Sequence, residues 1–167
     1  MKYGWIAGEQ RFFFLMCIID VFDRTIISYH IGLTCEAKDL VQITQEALMK
    51  RQLFSQEAKP ITRSDNGPQF ISHRFEEACA EFKMTHERIP PKTPNKNAHI
   101  EAFHAILKQE CYQRNEFETY PQAYEIVSEF IQEYNQNRIH GSIYDLSPYE
   151  YRAALKAGSV KPIEVKV

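Results

Sequence analysis

Between Arg11 and Asp20 the chain reads Phe-Phe-Phe-Leu-Met-Cys-Ile-Ile, an apolar run from Phe12 to Ile19 without one charge. Eight residues are less than half of the roughly 20 a membrane span needs. The run alternates with nothing polar, so neither face of a strand built from it suits water. Arg11–Ile19 is therefore expected to be a strand covered on both faces, and the rest of the chain must supply both covers. Lys2–Ala7 precedes it across Gly8-Glu9, a plausible hairpin turn because glycine tolerates positive φ. Thr25–Leu33, rich in β-branched residues and Tyr, follows the short Val21–Arg24 turn. Three antiparallel strands in succession are expected.

Helical periodicity then takes over. In Ala37–Gln52, Leu40, Val41, Thr44, Ala47 and Leu48 share one face. Pro60 breaks the chain, and Ile61–Ser64 reads as a short buried strand entering a glycine turn. Ser72 can cap His73–Lys83, in which Phe75, Ala78, Cys79 and Phe82 form one apolar stripe. Met84–Ile89 is a further strand, and Pro90–Asn95 an extended loop. Asn97–Gln113 carries Ile100, Phe103, Leu107 and Cys111 on one side. Thr119 and Gln122 form a capping-box pattern before a helix that turns Tyr120, Ala123, Val127, Phe130, Ile131 and Tyr134 inward. Ser147-Pro148-Tyr149-Glu150 opens a last helix that Gly158 ends. The order βββ-α-β-α-β-ααα suits an α/β domain, residues 1–167, with one mixed sheet flanked by helices.

Composition narrows the classes. Of 167 residues, 44% are hydrophobic and 25% charged, as in an ordinary globular chain. No basic flank and small-residue cleavage site mark a signal peptide, so a cytoplasmic protein with no membrane partner is expected. Cys17, Cys35, Cys79 and Cys111 are scattered, which argues for reduced, largely buried thiols and against a zinc knuckle or disulfide scaffold. Net charge is −2, yet it is unevenly spread. Residues 83–114 hold six Lys or Arg against three Asp or Glu, whereas residues 115–137 hold five glutamates and no Lys or Arg. A basic stretch beside an acidic one permits a local surface for an anionic ligand.

Two carboxylates stand out. Asp65, in Arg63-Ser64-Asp65-Asn66-Gly67-Pro68, follows a short strand at the sheet end where ligands usually bind. The same Asp-Asn-Gly is also ordinary turn chemistry. Glu101 lies on a stripe with Asn97, His104 and Lys108, after a loop carrying Lys92 and Lys96. That stripe is either a solvated helix face or a carboxylate set among groups that suit a phosphate backbone. Two carboxylates from different elements suit a hard divalent cation such as Mg²⁺, completed by substrate phosphates. In a two-metal site the ions lie ~3.5–4 Å apart and stabilise an in-line phosphoryl transfer.

Four stretches belong together: Ile19–Arg24; Ser64-Asp65-Asn66-Gly67 with Phe70; Asn97-x-x-x-Glu101, with 35 residues between Asp65 and Glu101; and Tyr134-Asn135-x-x-Arg138-x-His140 followed by Ser147-Pro148. In this order and spacing they resemble the integrase core domain of bacterial insertion-sequence transposases, which is related to retroviral integrases. The resemblance implies a ribonuclease H-like fold with a five-stranded mixed sheet, three antiparallel strands then two parallel. It also implies an Asp-Asp-Glu triad that holds two Mg²⁺ or Mn²⁺ ions, nicks DNA at the element's ends and transfers the freed 3′-hydroxyl to target DNA. Asp65 and Glu101 match two of the three metal ligands, and Lys108 matches a lysine that contacts DNA. Asn66, Lys92, Lys96 and Asn97 are expected to contact DNA or support the ligands. Arg63 stands where relatives often have His.

The triad's first aspartate would fall immediately before Met1. Asp20, at the far end of the second strand, is read as a turn-fixing residue because Asp readily bonds nearby backbone amides. The expected function is DNA transposition by a catalytic core impaired through the missing aspartate, with DNA and further copies of the chain as partners. The alternatives are a non-catalytic DNA-binding or dimerising fragment that regulates a full-length transposase, and another ribonuclease H-like nuclease.

Overall fold

The computed structural model describes residues 1–90 and 97–165. Its first three elements are β1 (Lys2–Ile6), β2 (Arg11–Ile19) and β3 (Ile26–Gly32), antiparallel and with β2 in the centre. Trp5 lies opposite Phe12 across β1–β2, and Leu15 opposite Ile31 across β2–β3. Both faces of β2 are covered from Phe13 to Met16, as its apolar run requires, whereas Phe12 at its start stays exposed. Phe13 and Leu15 are fully buried against Phe103, Leu107, Val127 and Ile131. Met16, on the opposite face by strand alternation, packs with Leu40, Ile43, Phe75 and Cys79. In the β1–β2 turn the residue with positive φ is Gln10 (51°), not Gly8. Gly8 is needed for another reason: a Cβ there would stand 2.4 Å from the Glu118 carbonyl oxygen.

Two helices cover the Met16 face. The first, α1 (Ala37–Lys50), starts with a capping box between Glu36 and Asp39, and α2 (His73–Glu81) starts at Ser72, whose Oγ accepts the Phe75 N–H. Between and after them run β4 (Thr62–Ser64) and β5 (His86–Arg88), paired in parallel. The expected five-stranded mixed sheet is not formed: β1–β2–β3 and β4–β5 are separate sheets. The short strands pair with each other, from Thr62 N–H to Thr85 C=O through Ile89 N–H to Ser64 C=O, and make no ladder with β1. Apolar packing joins the sheets instead, because Phe75 touches the Met16 cluster and meets the His86 ring at 5.0 Å.

The other face of β2 is covered by α3 (Ala98–Leu107) and α4 (Tyr120–Asn137). The helix expected over 97–113 changes character at Lys108, where a π-helical turn runs to Tyr112. The wider turn keeps Cys111 in the core and sets the Tyr112 ring edge-on to Phe13 and Phe117. At the start of α4, Thr119 Oγ1 accepts the Gln122 N–H, but Gln122 Oε1 accepts from Glu118 N–H rather than from Thr119. The expected box is thus offset by one residue. The last helix, α5 (Pro148–Lys156), has the full box between Ser147 and Glu150 and ends as expected at Gly158, where φ is 71°.

The Tyr134–His140 stretch works as a clasp. The buried Asn135 amide accepts the Ile26 N–H at 2.8 Å and donates to the Ile26 C=O at 3.0 Å, supplying the first residue of β3 with the partners of an absent strand. Arg138 Nη1 donates to Glu110 in the π turn at 2.6 Å, and the Tyr134 ring packs on Phe103 and His140. Asn135→Ala leaves both Ile26 backbone groups unpaired out of water. The expected loss is about 2–4 kcal/mol of unfolding free energy, measured by urea titration, with an Asn135→Asp variant recovering only the acceptor half.

Candidate active site

The segments bearing Asp65 and Glu101 both approach the start of β1. Asp65 follows the last residue of β4 and is exposed. Its Oδ1 accepts the Gly67 N–H at 2.9 Å, closing the turn, and its other oxygen has no protein donor among the described residues. Asn66 Nδ2 donates to the Ile89 C=O at 2.9 Å, which ties this loop to the end of β5. Further along, Gln69 Nε2 donates to Cys35 C=O at 2.9 Å and lies 3.8 Å from Met1 Sδ. On α3, His104 lines one groove together with Lys2 of β1.

Glu101 stands in the first turn of α3, exposed and without a hydrogen bond or ion pair among the described residues. Asn97 is the N-cap residue, yet its side chain makes no capping bond. Lys108 is exposed where α3 passes into the π turn. Lys92 and Lys96 lie outside the described residues. Among the described residues, no three His, Cys, Asp or Glu side chains converge as a metal site would require. Asp65 and Glu101 each present carboxylate oxygens open to solvent, the donor type a hard cation takes.

One member of the expected polar stripe is misplaced. His104 is only 7% exposed and lies 3.9 Å from Cys17 Sγ, so it belongs to the packed side of α3 and not to a stripe with Glu101. Burial first, then the N-terminal ammonium and Lys2, lowers its pKa to about 3. Burial likewise pushes the Cys17 thiol up to about 12, so it is an inert neighbour.

Asp20 does what a turn residue does. Its Oδ1 accepts the Phe22 N–H at 3.0 Å, and its carbonyl accepts the Arg24 N–H at 2.8 Å. Its Oδ2 is 3.1 Å from Arg51 at the end of α1. Burial and the neighbouring Asp23 raise its pKa, against the Phe22 amide and the arginines. Asp23 in turn holds Arg51 at 2.8 Å and Arg152 of α5 at 3.3 Å.

Residue patterns did not reveal the role of Arg24. Buried and at φ 66°, it donates from Nε to Ser142 Oγ at 3.3 Å and approaches His99 Nε2 through Nη1 at 3.4 Å. His99 is two residues before Glu101, so this guanidinium links the turn after β2 to the first turn of α3. The motif around Arg24 was visible; its partners, 75 and 118 residues away, were not.

Three antiparallel strands covered by helices on both faces, with a short parallel pair packed alongside, define an α/β catalytic-core-like class of fold. Two family profiles described as integrase core domain match residues 1–94 and 82–148, and the chain belongs to that family. An uncharacterized transposase-like protein of Haemophilus influenzae is 30% identical over 139 residues, 83% of this chain and 62% of its own length. The putative transposase InsK of insertion sequence element IS150 from Escherichia coli is 28% identical over 146 residues, 87% of this chain and 50% of its length. The chain thus spans roughly half to two thirds of the relatives it matches. The catalytic core of HTLV-2 integrase in complex with magnesium shares the fold, with TM-score 0.64, 15% identity and 90% coverage of both chains.

The His104 environment generates a pH dependence. The unfolded chain takes up this proton below about 6.5, the ordinary His value, whereas the folded chain resists it down to about 3. Stability therefore falls as pH drops through that window, by up to about 1.4 kcal/mol per pH unit. His140, lowered to about 4 mainly by burial, adds in the same direction. His104→Gln is expected to flatten the fall in urea midpoint between pH 6.5 and 4.5; an unchanged slope would place the linkage elsewhere.

Proposed function

We propose that this chain is the DNA-cutting and DNA-joining core of an insertion-sequence transposase, with Asp65 and Glu101 as two of the carboxylates that hold Mg²⁺ or Mn²⁺. The observation that carries this reading is that both segments reach the start of β1: Gln69 on the Asp65 loop has Nε2 3.8 Å from Met1 Sδ, and His104 on the helix of Glu101 lines one groove with Lys2. A carboxylate on the residue preceding Met1 would stand there as the third ligand. When bound, the metal ions supply charge stabilisation for attacking and leaving oxygens of a phosphodiester.

The chain's own groups then have distinct tasks. Asn66 holds the Asp65 loop against β5, which keeps that carboxylate from drifting. Arg24, through His99, steadies the first turn of α3. Lys108 offers an exposed ammonium to a phosphate, and Lys92, Lys96 and Asn97 are assigned to the same DNA backbone. Residues 1–167 act as one catalytic-core domain and work as a homo-oligomer, because joining two DNA ends requires two ends to be held together. The proposed setting is the bacterial cytoplasm.

One observation favours a second reading, a non-catalytic DNA-binding or dimerising fragment. Asp65 already has a structural task in closing the Gly67 turn. Calorimetry with Mn²⁺ and nicking of supercoiled plasmid separate the two readings. Glu101→Gln and Asp65→Asn are each expected to weaken Mn²⁺ binding about tenfold or more. Adding one aspartate before Met1 is expected to raise Mn²⁺-dependent nicking at least about 100-fold, since positioning and charge stabilisation supply most of this catalysis. Unchanged Mn²⁺ binding in both variants, with tight metal-independent DNA binding, would select the fragment.

A further inference from the structure

One face of the β1–β2 pair exposes aromatic rings that the core does not use. Tyr3, Trp5 and Phe12 are 62%, 43% and 46% exposed, although rings of this size normally gain most from burial. Tyr3 and Trp5 share one face of β1, and Phe12 stands opposite Trp5 on β2. The rings meet edge-on, Tyr3 to Phe12 at 5.3 Å and 83°, Trp5 to Phe12 at 4.8 Å and 65°. Edge-on contact leaves flat ring faces unspent on one another.

A groove of about 580 Å³ runs beside these rings, between β1 and the end of α3. Its ionisable lining includes Lys2 and Lys108, against the single carboxylate of Glu116. Lys108 is seven residues beyond Glu101 on the same helix, a rise of about 10 Å. Aromatic faces beside ammonium groups match a ligand with flat apolar rings on an anionic backbone, which is the chemistry of single-stranded nucleic acid. An apolar protein surface would satisfy the rings and leave both lysines opposite nothing.

We propose that this groove binds an unpaired DNA strand, with a base stacked on the Trp5 cluster and phosphates at Lys2 and Lys108. The inference rests on DNA being the substrate and deepens that reading: the strand so held would be one freed from pairing next to the cutting site.

Trp5 is the sole tryptophan of the chain, so its fluorescence reports the groove directly. The 167-residue chain, without metal, is titrated with oligo-dT and with a blunt duplex of equal length at several salt concentrations. Oligo-dT is expected to quench Trp5 more strongly than the duplex. By anisotropy of labelled oligo-dT, Tyr3→Ala and Trp5→Ala are each expected to weaken binding about tenfold. Lys2→Ala and Lys108→Ala are expected to weaken it chiefly at low salt and to reduce its salt dependence.

Equal quenching by both DNAs, or binding indifferent to Tyr3→Ala and Trp5→Ala, would overturn the proposal. So would self-association by sedimentation that Trp5→Ala abolishes while oligo-dT binding is unaltered, since a second copy would then cover the rings. Circular dichroism confirms that the variants are folded. Quenching without metal-dependent cleavage by the aspartate-extended chain would count against the catalytic reading alone, and cleavage without quenching against this inference alone.

Discussion

Burial of β2 on both faces is the constraint from which the remaining architecture follows. Phe13 and Leu15 require one apolar cover and Met16 another, and helices from different parts of the chain provide them. α1 and α2 meet the Met16 face, bringing the Asp65 loop with them, because that loop lies between β4 and α2. α3 and α4 meet the Phe13 face, and Phe103 and Leu107 set the depth at which α3 sits. The two candidate carboxylates are thus delivered from opposite sides of one strand. A fully buried aromatic such as Phe13 is also expensive to remove, on the order of 3–5 kcal/mol for truncation to Ala.

Where β2 ends, packing gives way to charge. Asp20 and Asp23 at the turn face Arg51 and Arg152, so that α1 and α5 are tied to the same short segment. Asp23 is 2% exposed, and a carboxylate so buried persists only when paired and hydrogen-bonded. Its Oδ1 also accepts the Thr25 N–H at 3.0 Å, which sets the entry to β3. Arg24 points the other way, to Ser142 and His99. A five-residue turn therefore orients α1, α3 and α5 together. Breaking one member would leave an uncompensated charge in a dry place, which is why such networks act as a unit.

Much of the local structure was legible because it depends on neighbours in sequence. The apolar run marked β2 to the residue, and Ser72, Ser147 and Gly158 marked helix ends through bonds made within one turn. The pattern was weaker wherever a distant partner intervened. Gln122 reaches Glu118 instead of Thr119, and a π turn interrupts the helix at Lys108. His104 falls at a polar position by spacing, yet it is buried beside Cys17 because the wall of the core there is β2 itself. The expected single sheet fails for a similar reason: three-residue strands are placed by helix packing as much as by ladder bonds.

For the candidate site the division is sharper. Asp65 and Glu101 were visible as residue types at a telling separation, and the turn role of Asp20 followed from its own chemistry with nearby amides. That the Asp65 loop reaches Met1, that Arg24 reaches α3, and that Asn135 completes Ile26 depend on contacts across 68 to 109 residues. The sequence by itself determined the strand that needs two covers, the helix boundaries and the family, since these rest on local pattern and motif. Only the tertiary structure decided which buried polar groups meet and which aromatic rings stay in water. Both outcomes come from how much surface the covers leave over, which no segment of the chain carries alone.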